Sequence, residues 1–149
     1  MNKPTLHYEA EVIEGLEAIA QAELTRVRGV QTLKVHKGAI QFVYEPRFLP
    51  LLNLRAVTAV YLSLTFDVPR PKALLGHQHF TRLTTAIHAV LKQHPPRAFT
   101  TLSIDAAGSD SSVMRRLCAE LAQAVSLTPS DERGDMVIRI RRSPQNDGW

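Results

Sequence analysis

Residues 97–142 read RAFTTLSIDAAGSDSSVMRRLCAELAQAVSLTPSDERGDMVIRIRR, and this stretch decides the fold of the second half of the chain. Residues 99–105 alternate between apolar and polar side chains, which is typical of a strand. The polar turn at residues 107–112 supplies oxygens that can cap a following helix. The apolar positions of that helix recur every fourth residue: Val113, Leu117, Leu121 and Val125. Residues 136–142 alternate again, so the stretch predicts a strand–helix–strand unit.

The first part of the chain also alternates between strand and helix patterns. Residues 6–12 predict a strand, and Gly15-Leu16 begins a helix that ends at Gly29. The apolar stripe of this helix consists of Leu16, Ile19, Ala20, Leu24 and Val27. The remaining predicted elements are strands at 30–35, 40–44 and 60–66, and a short helix at 48–53 with Pro46 at its first turn and Pro50 inside it. This order of elements is typical of a ferredoxin-like split βαβ unit.

A stiff connection separates the two parts. Residues 68–71 read Val-Pro-Arg-Pro, and proline cannot continue a central strand. A further helix follows, whose apolar stripe consists of Phe80, Leu83, Ile87, Val90 and Leu91. We therefore predict an α+β protein with a ferredoxin-like N-terminal domain at residues 1–67 and a second α/β domain at residues 68–149.

The composition favours a folded protein in an aqueous compartment. The chain has 149 residues, of which 44% are hydrophobic, so it can bury a core. No apolar run approaches the roughly 18 residues that a membrane span needs. The first residues contain no apolar signal region. We therefore expect a soluble cytoplasmic protein with no membrane partner.

The positive charge is concentrated in one segment. Residues 68–96 contain Lys and Arg but no acid, and they carry the whole formal excess of +4. This asymmetry favours an anionic partner, with nucleic acid as the leading candidate and a solvated basic surface as the alternative. The basic residues that could bind RNA phosphates lie in this segment, just after it at Arg97, or on the last helix and strand: Arg70, Lys72, Arg82, Lys92, Arg97, Arg115, Arg116, Arg139, Arg141 and Arg142.

No group of residues in the sequence predicts a catalytic or metal site. His77 and His79 have neither cysteine nor convergent carboxylates beside them, which disfavours zinc ligation. Cys118 lies on an apolar helix stripe, so we interpret it as a core residue and not a nucleophile. Residues 109–112 could hold an anion at a helix N-terminus, although helix capping is the simpler interpretation. These residues leave open whether the protein is an enzyme.

Three short motifs resemble the N-terminal part of a family of bacterial RNA methyltransferases. Residues 14–24, EGLEAIAQAEL, resemble the helix that opens the family's ferredoxin-like domain, and residues 54–57, LRAV, resemble the segment before its last strand. Residues 135–140, DMVIRI, are similar to a late strand of the THUMP domain, an RNA-binding module. The resemblance implies that residues 68–149 are THUMP-like, that rRNA or tRNA is the partner, and that a methyltransferase domain using S-adenosylmethionine follows.

The chain departs from the family in two places. THUMP strands commonly deliver a basic residue before the turn into the helix, whereas this turn carries Asp105 and Asp110, which would repel phosphate. The sequence also contains no Gly-rich cofactor turn and no Asn-Pro-Pro-Tyr or Asp-Pro-Pro-Tyr motif, so we expect no cofactor in this chain. Residues 143–148 indicate a turn, and Trp149 would begin a strand that is absent. We therefore expect a fragment cut before the last strand of the THUMP-like domain.

Such a cut would leave Trp149 frayed or buried against a neighbouring molecule, and the strand at residues 136–142 with an open edge. We therefore expect either a disordered tail after about Ser143 or self-association through this edge. The sequence thus predicts an RNA-binding module that positions rRNA or tRNA for a methyltransferase domain absent from this chain. Arginine and lysine side chains would bind the phosphates and fix the register of the RNA. The alternative is a non-catalytic α/β docking platform for a partner domain, without RNA contact.

Overall fold

The computed structural model describes residues 5–143 and 148–149. Contacts between residues divide the chain into two compact units, Met1–Leu64 and Thr65–Trp149. None of the helices in the described ranges combines the length and the apolar character of a membrane span.

The first unit contains an antiparallel four-stranded sheet and one α-helix. Its elements are β1 (Leu6–Glu11), α1 (Glu17–Thr25), β2 (Gln31–His36), β3 (Ala39–Tyr44), a 3-10 helix (Leu49–Asn53) and β4 (Ala59–Leu62). The strands lie in the order β2-β3-β1-β4, and every neighbouring pair is antiparallel. The order along the chain and across the sheet is that of a ferredoxin-like split βαβ unit, which confirms the predicted architecture.

The core of the first unit lies on one face of this sheet. Its buried side chains alternate along two strands and are joined by two from the helix: Tyr8, Ala10, Ile40, Phe42, Tyr44, Ala20 and Leu24. Tyr8 pairs directly with Phe42, and the centroids of their stacked rings are 5.5 Å apart. The Tyr8 hydroxyl donates to the carbonyl of Glu45 at 3.0 Å, and burial raises the pKa of Tyr8 to about 12.

Helix α1 buries less of its predicted apolar stripe than the sequence suggested. Ala20 and Leu24 are fully buried, whereas Leu16 and Ile19 are 37% and 59% exposed. Leu16 precedes the helix, which begins at Glu17. Ile19 is rotated by about 100° from Ala20 around the helix axis and leaves the core. The predicted burial of Leu16 and Ile19 is therefore wrong.

Two glutamates of α1 hold the neighbouring loops by accepting backbone hydrogen bonds. Glu23 Oε1 accepts from the N–H groups of Arg55 at 2.6 Å and Ala56 at 3.1 Å. Glu17 accepts from Gly15 at 2.8 Å and from Gly38 at 3.0 Å. The Gly38 N–H is the main reason why the pKa of Glu17 is lowered. The helix is thus tied both to the β2–β3 turn and to the segment before β4.

Two predicted elements of the first unit differ in the structure. The short helix is a 3-10 helix at Leu49–Asn53, and Pro50 lies in its first turn instead of Pro46. A 3-10 turn suits this position because Pro50 cannot donate a backbone hydrogen bond. The last strand, β4, ends at Leu62, so the prediction that it continues to Phe66 is wrong.

The second unit is built on a small parallel sheet. Its elements are a 3-10 helix (Pro71–Leu75), α2 (His77–Leu91), β5 (Thr101–Ala106), α3 (Ser112–Ala124), β6 (Thr128–Pro129) and β7 (Met136–Ile140). The strands lie in the order β6-β5-β7, and β5 is parallel to both neighbours. The predicted strand–helix–strand unit is thus present as β5, α3 and β7.

Helix α3 packs with the predicted stripe, of which Leu117, Leu121 and Val125 are buried. Cys118 is buried beside them, and desolvation raises the pKa of its thiol, as expected for a core residue. The Ser111 side chain accepts a hydrogen bond from the N–H of Met114 at 3.3 Å. This bond confirms that Ser111 caps the helix.

Asp135 joins the beginnings of β5 and β7. Its Oδ2 accepts from the Thr100 N–H and hydroxyl, both at 2.9 Å, and from the Thr101 N–H at 3.3 Å. These bonds lower the pKa of Asp135. The N–H of Gly134 donates to the buried Ser103 hydroxyl at 2.9 Å, and a Cβ on Gly134 would lie 3.1 Å from the Leu102 backbone. Close approach of the two segments therefore favours glycine at position 134.

The prediction that Trp149 would be frayed is wrong. Its N–H donates to the Phe66 carbonyl at 2.9 Å, and the Phe66 N–H donates to the Trp149 carbonyl at 2.6 Å. Phe66 is available for this pairing because β4 ends before it. Residues 144–147 of the predicted turn lie outside the described residues. Within the described residues β7 pairs with β5 alone, so self-association through its other edge stays a prediction.

We expect Glu23→Ala to lower the free energy of unfolding by about 1–2 kcal/mol, because the N–H groups of Arg55 and Ala56 lose their acceptor. Urea denaturation measures this change. Glu14→Ala is the matched control, since it removes only an exposed ion pair with Lys37 at 3.2 Å. Such pairs are worth about 0–1 kcal/mol. Equal destabilisation in both variants would contradict the anchoring role of Glu23.

We expect the stabilising effect of Asp135 to depend on pH. Because folding lowers its pKa, the contribution is complete above the ordinary aspartate value of 3.8 and is lost as the pH falls below it. The melting temperature of the wild type should therefore exceed that of Asp135→Asn at pH 7, and the difference should shrink towards pH 2.5. A difference that stays constant over this range would contradict the assignment.

Candidate nucleic-acid interface

The carboxyl ends of β5 and β7 lie side by side and bring predicted site residues together. Asp105 pairs with Arg139 across the two strands, and Ala106 pairs with Ile140. In parallel α/β sheets, ligands commonly bind at this edge, beyond the ends of the strands. Because β7 ends at Ile140, Arg141 follows directly at the same edge.

Asp105 holds two of the arginines. Its Oδ2 lies 3.2 Å from Arg139 Nε and 3.2 Å from Arg141 Nη2. Burial acts to raise the pKa of Asp105, but the hydrogen bonds and charges of Arg141 and Arg139 outweigh it, so the pKa is lowered. The carboxylate therefore stays ionised at neutral pH. The expected repulsion of phosphate by Asp105 is offset, because the aspartate is paired with cations.

Arg141 is fixed in place and keeps free donors. Its Nη1 donates to the carbonyl oxygens of Asp105 at 2.8 Å and Ile140 at 3.0 Å, and its Nη2 donates to the Asp105 carboxylate. A guanidinium has five N–H groups. The Nε–H and one N–H of Nη2 have no partner among the described residues, so they can bind an anion.

An open groove of about 540 Å³ lies at this edge. The described residues that line it are Asp105, Ala106, Ala107, Ile140, Arg141, Arg142 and Trp149. The Arg142 guanidinium lies 5.7 Å from the centroid of the Trp149 ring, which is within the range of a cation–π contact. The groove thus combines two exposed guanidinium groups with one aromatic ring.

The other predicted basic residues lie elsewhere. Arg82 donates to the Thr65 carbonyl at 2.6 Å, and its guanidinium lies 4.6 Å from the Phe66 ring centroid, so it stabilises the second unit. Arg116 pairs with Glu120 at 3.2 Å on α3. The remaining five are exposed and have no ion pair within the described residues: Arg70, Lys72, Lys92, Arg97 and Arg115. No described residue of the basic segment 68–96 lines the groove.

The sequence did not identify two members of the groove. Trp149 was interpreted as a displaced strand residue, and nothing near it in the sequence signals its pairing with Phe66. Asp105 was identified only as a source of repulsion. Its pairing with Arg139 follows from the register of two strands that are far apart in the chain. Among residues 5–143 and 148–149, no group of three or more potential metal ligands occurs.

Comparison with protein-family models finds no match to this chain, and comparison with curated proteins finds none either.

Comparison with solved structures finds similar folds. TrmN from Thermus thermophilus is 19% identical over 90% of this chain and 41% of its own, with a TM-score of 0.54. A protein described as a predicted N6-adenine-specific DNA methylase from Listeria monocytogenes strain 4b F2365 is 15% identical over 91% of this chain and 36% of its own, with a TM-score of 0.49. The chain therefore spans less than half the length of either protein. The similarity to TrmN shows that the two share an α+β fold over most of this chain.

Proposed function

We propose that this chain is an RNA-binding module and that the groove beside β5 and β7 contacts the RNA. The observation that supports this most directly is that Arg141, Arg142 and Trp149 line the same groove. Guanidinium groups bind phosphates through paired N–H donors, and an aromatic ring offers a face on which a base can stack. Few other ligand classes use both features together.

The charges at the groove favour binding to the RNA backbone. Among the described side chains at this edge, three arginines (139, 141 and 142) face one aspartate (105), so the described charges are mainly positive. Asp105 reduces the attraction, but it also fixes the direction of Arg141 before RNA arrives, which lowers the entropy cost of binding. Phosphate contacts set position and register and do not read the base sequence. The module would therefore position an RNA for an activity that lies elsewhere.

We further propose that residues 1–67 and 68–149 correspond to a ferredoxin-like domain and a THUMP-like domain of an RNA methyltransferase that acts on rRNA or tRNA. The sequence resemblance supports this assignment, and so does the fold shared with part of TrmN. The methyltransferase domain, with S-adenosylmethionine as its cofactor, would be a separate domain. In this arrangement the present chain contributes RNA binding and no chemical step.

A docking platform is the second candidate function, and one observation favours it. The large hydrophobic side chains that are exposed in the described residues all lie in the first unit: Ile13, Leu16, Ile19, Leu33, Val35, Leu49 and Leu52. Contiguous exposed apolar patches mark protein–protein contacts, and these side chains are the candidates for such a patch. Absence of RNA binding by the wild-type chain at low salt would favour this second candidate.

We expect the double variant Arg141→Gln/Arg142→Gln to bind a tRNA transcript more weakly than the wild type does. The slope of log affinity against log salt concentration should become shallower by about 0.7–0.9 for each phosphate contact that the substitutions remove. Fluorescence anisotropy between 50 and 200 mM salt measures both quantities. Arg142→Gln alone tests the same point without disturbing the hydrogen bonds of Arg141 to Asp105.

The matched control is Arg26→Gln/Arg28→Gln, which removes the same charge from exposed positions in the first unit. If RNA binding depended only on net charge, both double variants would be weakened equally. Equal weakening of both double variants, or unchanged affinity in both groove variants, would show that the groove is not part of the RNA-binding surface.

A further inference from the structure

A second cavity of about 420 Å³ lies at the other end of β5 from the groove. It is enclosed by three segments of the second unit: the last residue of α2 (Leu91), the loop at residues 95–100 and the residues after α3 (125–127). Strand β5 begins at Thr101, immediately after this loop. The cavity therefore lies at the amino end of the strand whose carboxyl end forms the groove.

Two residues with unusual backbone conformations line this cavity. Arg97 has a φ of 67° and Ser126 a φ of 61°, and they are the described non-glycine residues with positive φ. Both also line the cavity. A positive φ is disfavoured for residues with a Cβ, and such strained residues are concentrated at functional sites.

The conformation of Ser126 is explained by the end of α3. The N–H of Leu127 donates to the Ala122 carbonyl at 2.8 Å, as in the Schellman motif that ends many helices. Glycine is the usual residue there, and serine has a short side chain. The conformation of Ser126 therefore requires no functional account.

Arg97 is different because its side chain is long and charged. The Ala98 N–H donates to the Pro95 carbonyl at 3.1 Å, so Arg97 is the third residue of a tight turn whose second residue is Pro96. With positive φ at the third position this is the type II geometry, in which glycine or asparagine is favoured. An arginine there strains the backbone and gains no ion pair among the described residues. The strained turn thus places an exposed arginine among the residues that line the cavity.

We propose that this cavity binds a nucleobase of the RNA and that Arg97 binds the adjoining phosphate, an inference that rests on the proposed function. Leu91, Phe99 and Leu127 are among the residues that line the cavity, whose lining is polar and apolar in about equal parts, and Phe99 contributes an aromatic ring. Base–aromatic stacking contributes to single-strand binding without regard to sequence. No N–H of the described residues donates to the Val125 carbonyl at the end of α3, so that oxygen can accept from an exocyclic amine of a base.

The charge around the cavity suits a phosphate. Lys92 follows the end of α2 and is exposed, as is Arg97. The carboxylate of Asp135 lies beside Thr100, which also lines the cavity. It already accepts hydrogen bonds from Thr100 and Thr101, and these compensate its charge locally. The RNA would thus be held at both ends of β5.

Titration with 5′-AMP tests the cavity, because the methyl signals of its lining residues report binding there and not at the groove. We expect millimolar 5′-AMP to shift the methyl NMR signals of Leu91, Val125 and Leu127, and we expect ribose 5-phosphate to leave them unchanged. Arg97→Gly should weaken the AMP affinity several-fold. It should also make the salt dependence of tRNA binding shallower by about 0.7, the value for one phosphate contact to a single strand.

Ser126→Gly is the matched control. Both glycine variants relieve a positive φ, so both should raise the melting temperature by about 1–3 °C. Only Arg97→Gly should bind AMP more weakly. If it binds AMP and tRNA as the wild type does, or if ribose 5-phosphate gives the same shifts as AMP, the base site is excluded.

The outcome for this cavity is separable from the outcome for the groove. Arg141→Gln/Arg142→Gln should retain the AMP shifts even where it no longer binds tRNA. A wild type that binds no tRNA contradicts the proposed function. An absence of AMP shifts in a chain that does bind tRNA contradicts only the inference about the cavity.

Discussion

The parallel register of β5 and β7 is the constraint on which the proposed interface depends. It sets Asp105 opposite Arg139 and brings Arg141 to the same edge. Asp135 fixes this register at the other end of the sheet by accepting hydrogen bonds from the first residues around β5. A shift of one residue would turn Arg139 to the opposite face of the sheet, because side chains alternate along a strand. The groove therefore depends on an anchor at the far end of the two strands.

The ion pairs at this edge orient Arg141 more than they stabilise the folded protein. The side chains of Asp105 and Arg141 are 45% and 54% exposed, and pairs as exposed as these contribute about 0–1 kcal/mol. The same pairs hold Arg141 in one orientation, while two of its N–H groups have no partner in the part of the chain that the structure describes. Salt at physiological strength weakens exposed pairs, and phosphate competes for the same guanidinium groups. A weak ion pair with a carboxylate thus orients the arginine and leaves its guanidinium accessible to a phosphate.

The elements that the sequence predicted well are those fixed by local periodicity. The apolar stripe of α3 and the alternation of β1 and β3 follow from neighbouring residues. Leu16 and Ile19 were misplaced for a local reason, the start and rotation of α1, but the other errors concern contacts between distant residues. Phe66, which was predicted to lie in the last strand of the first unit, pairs instead with Trp149, and the sequence did not indicate the contact of the Arg82 guanidinium with the Phe66 ring. Neither contact leaves a periodic signal. The groove depends on one predicted and one unpredicted feature. Strand β7 was predicted from its alternation, whereas its register with β5 was not.

The motifs that carry the family resemblance have structural roles in this chain. Glu17 and Glu23 hold loops through backbone N–H groups, and Asp135 holds the start of β5. These residues maintain the fold whether or not RNA is bound, so their presence is evidence for the fold and not for RNA binding. A fold can host several functions, and the function has to be argued from the site. The proposed site consists of Arg141, Arg142 and Trp149, which lie outside all three motifs. Loss of RNA binding through changes at these residues, with the glutamate anchors intact, would separate the function of this chain from the fold that it shares with TrmN.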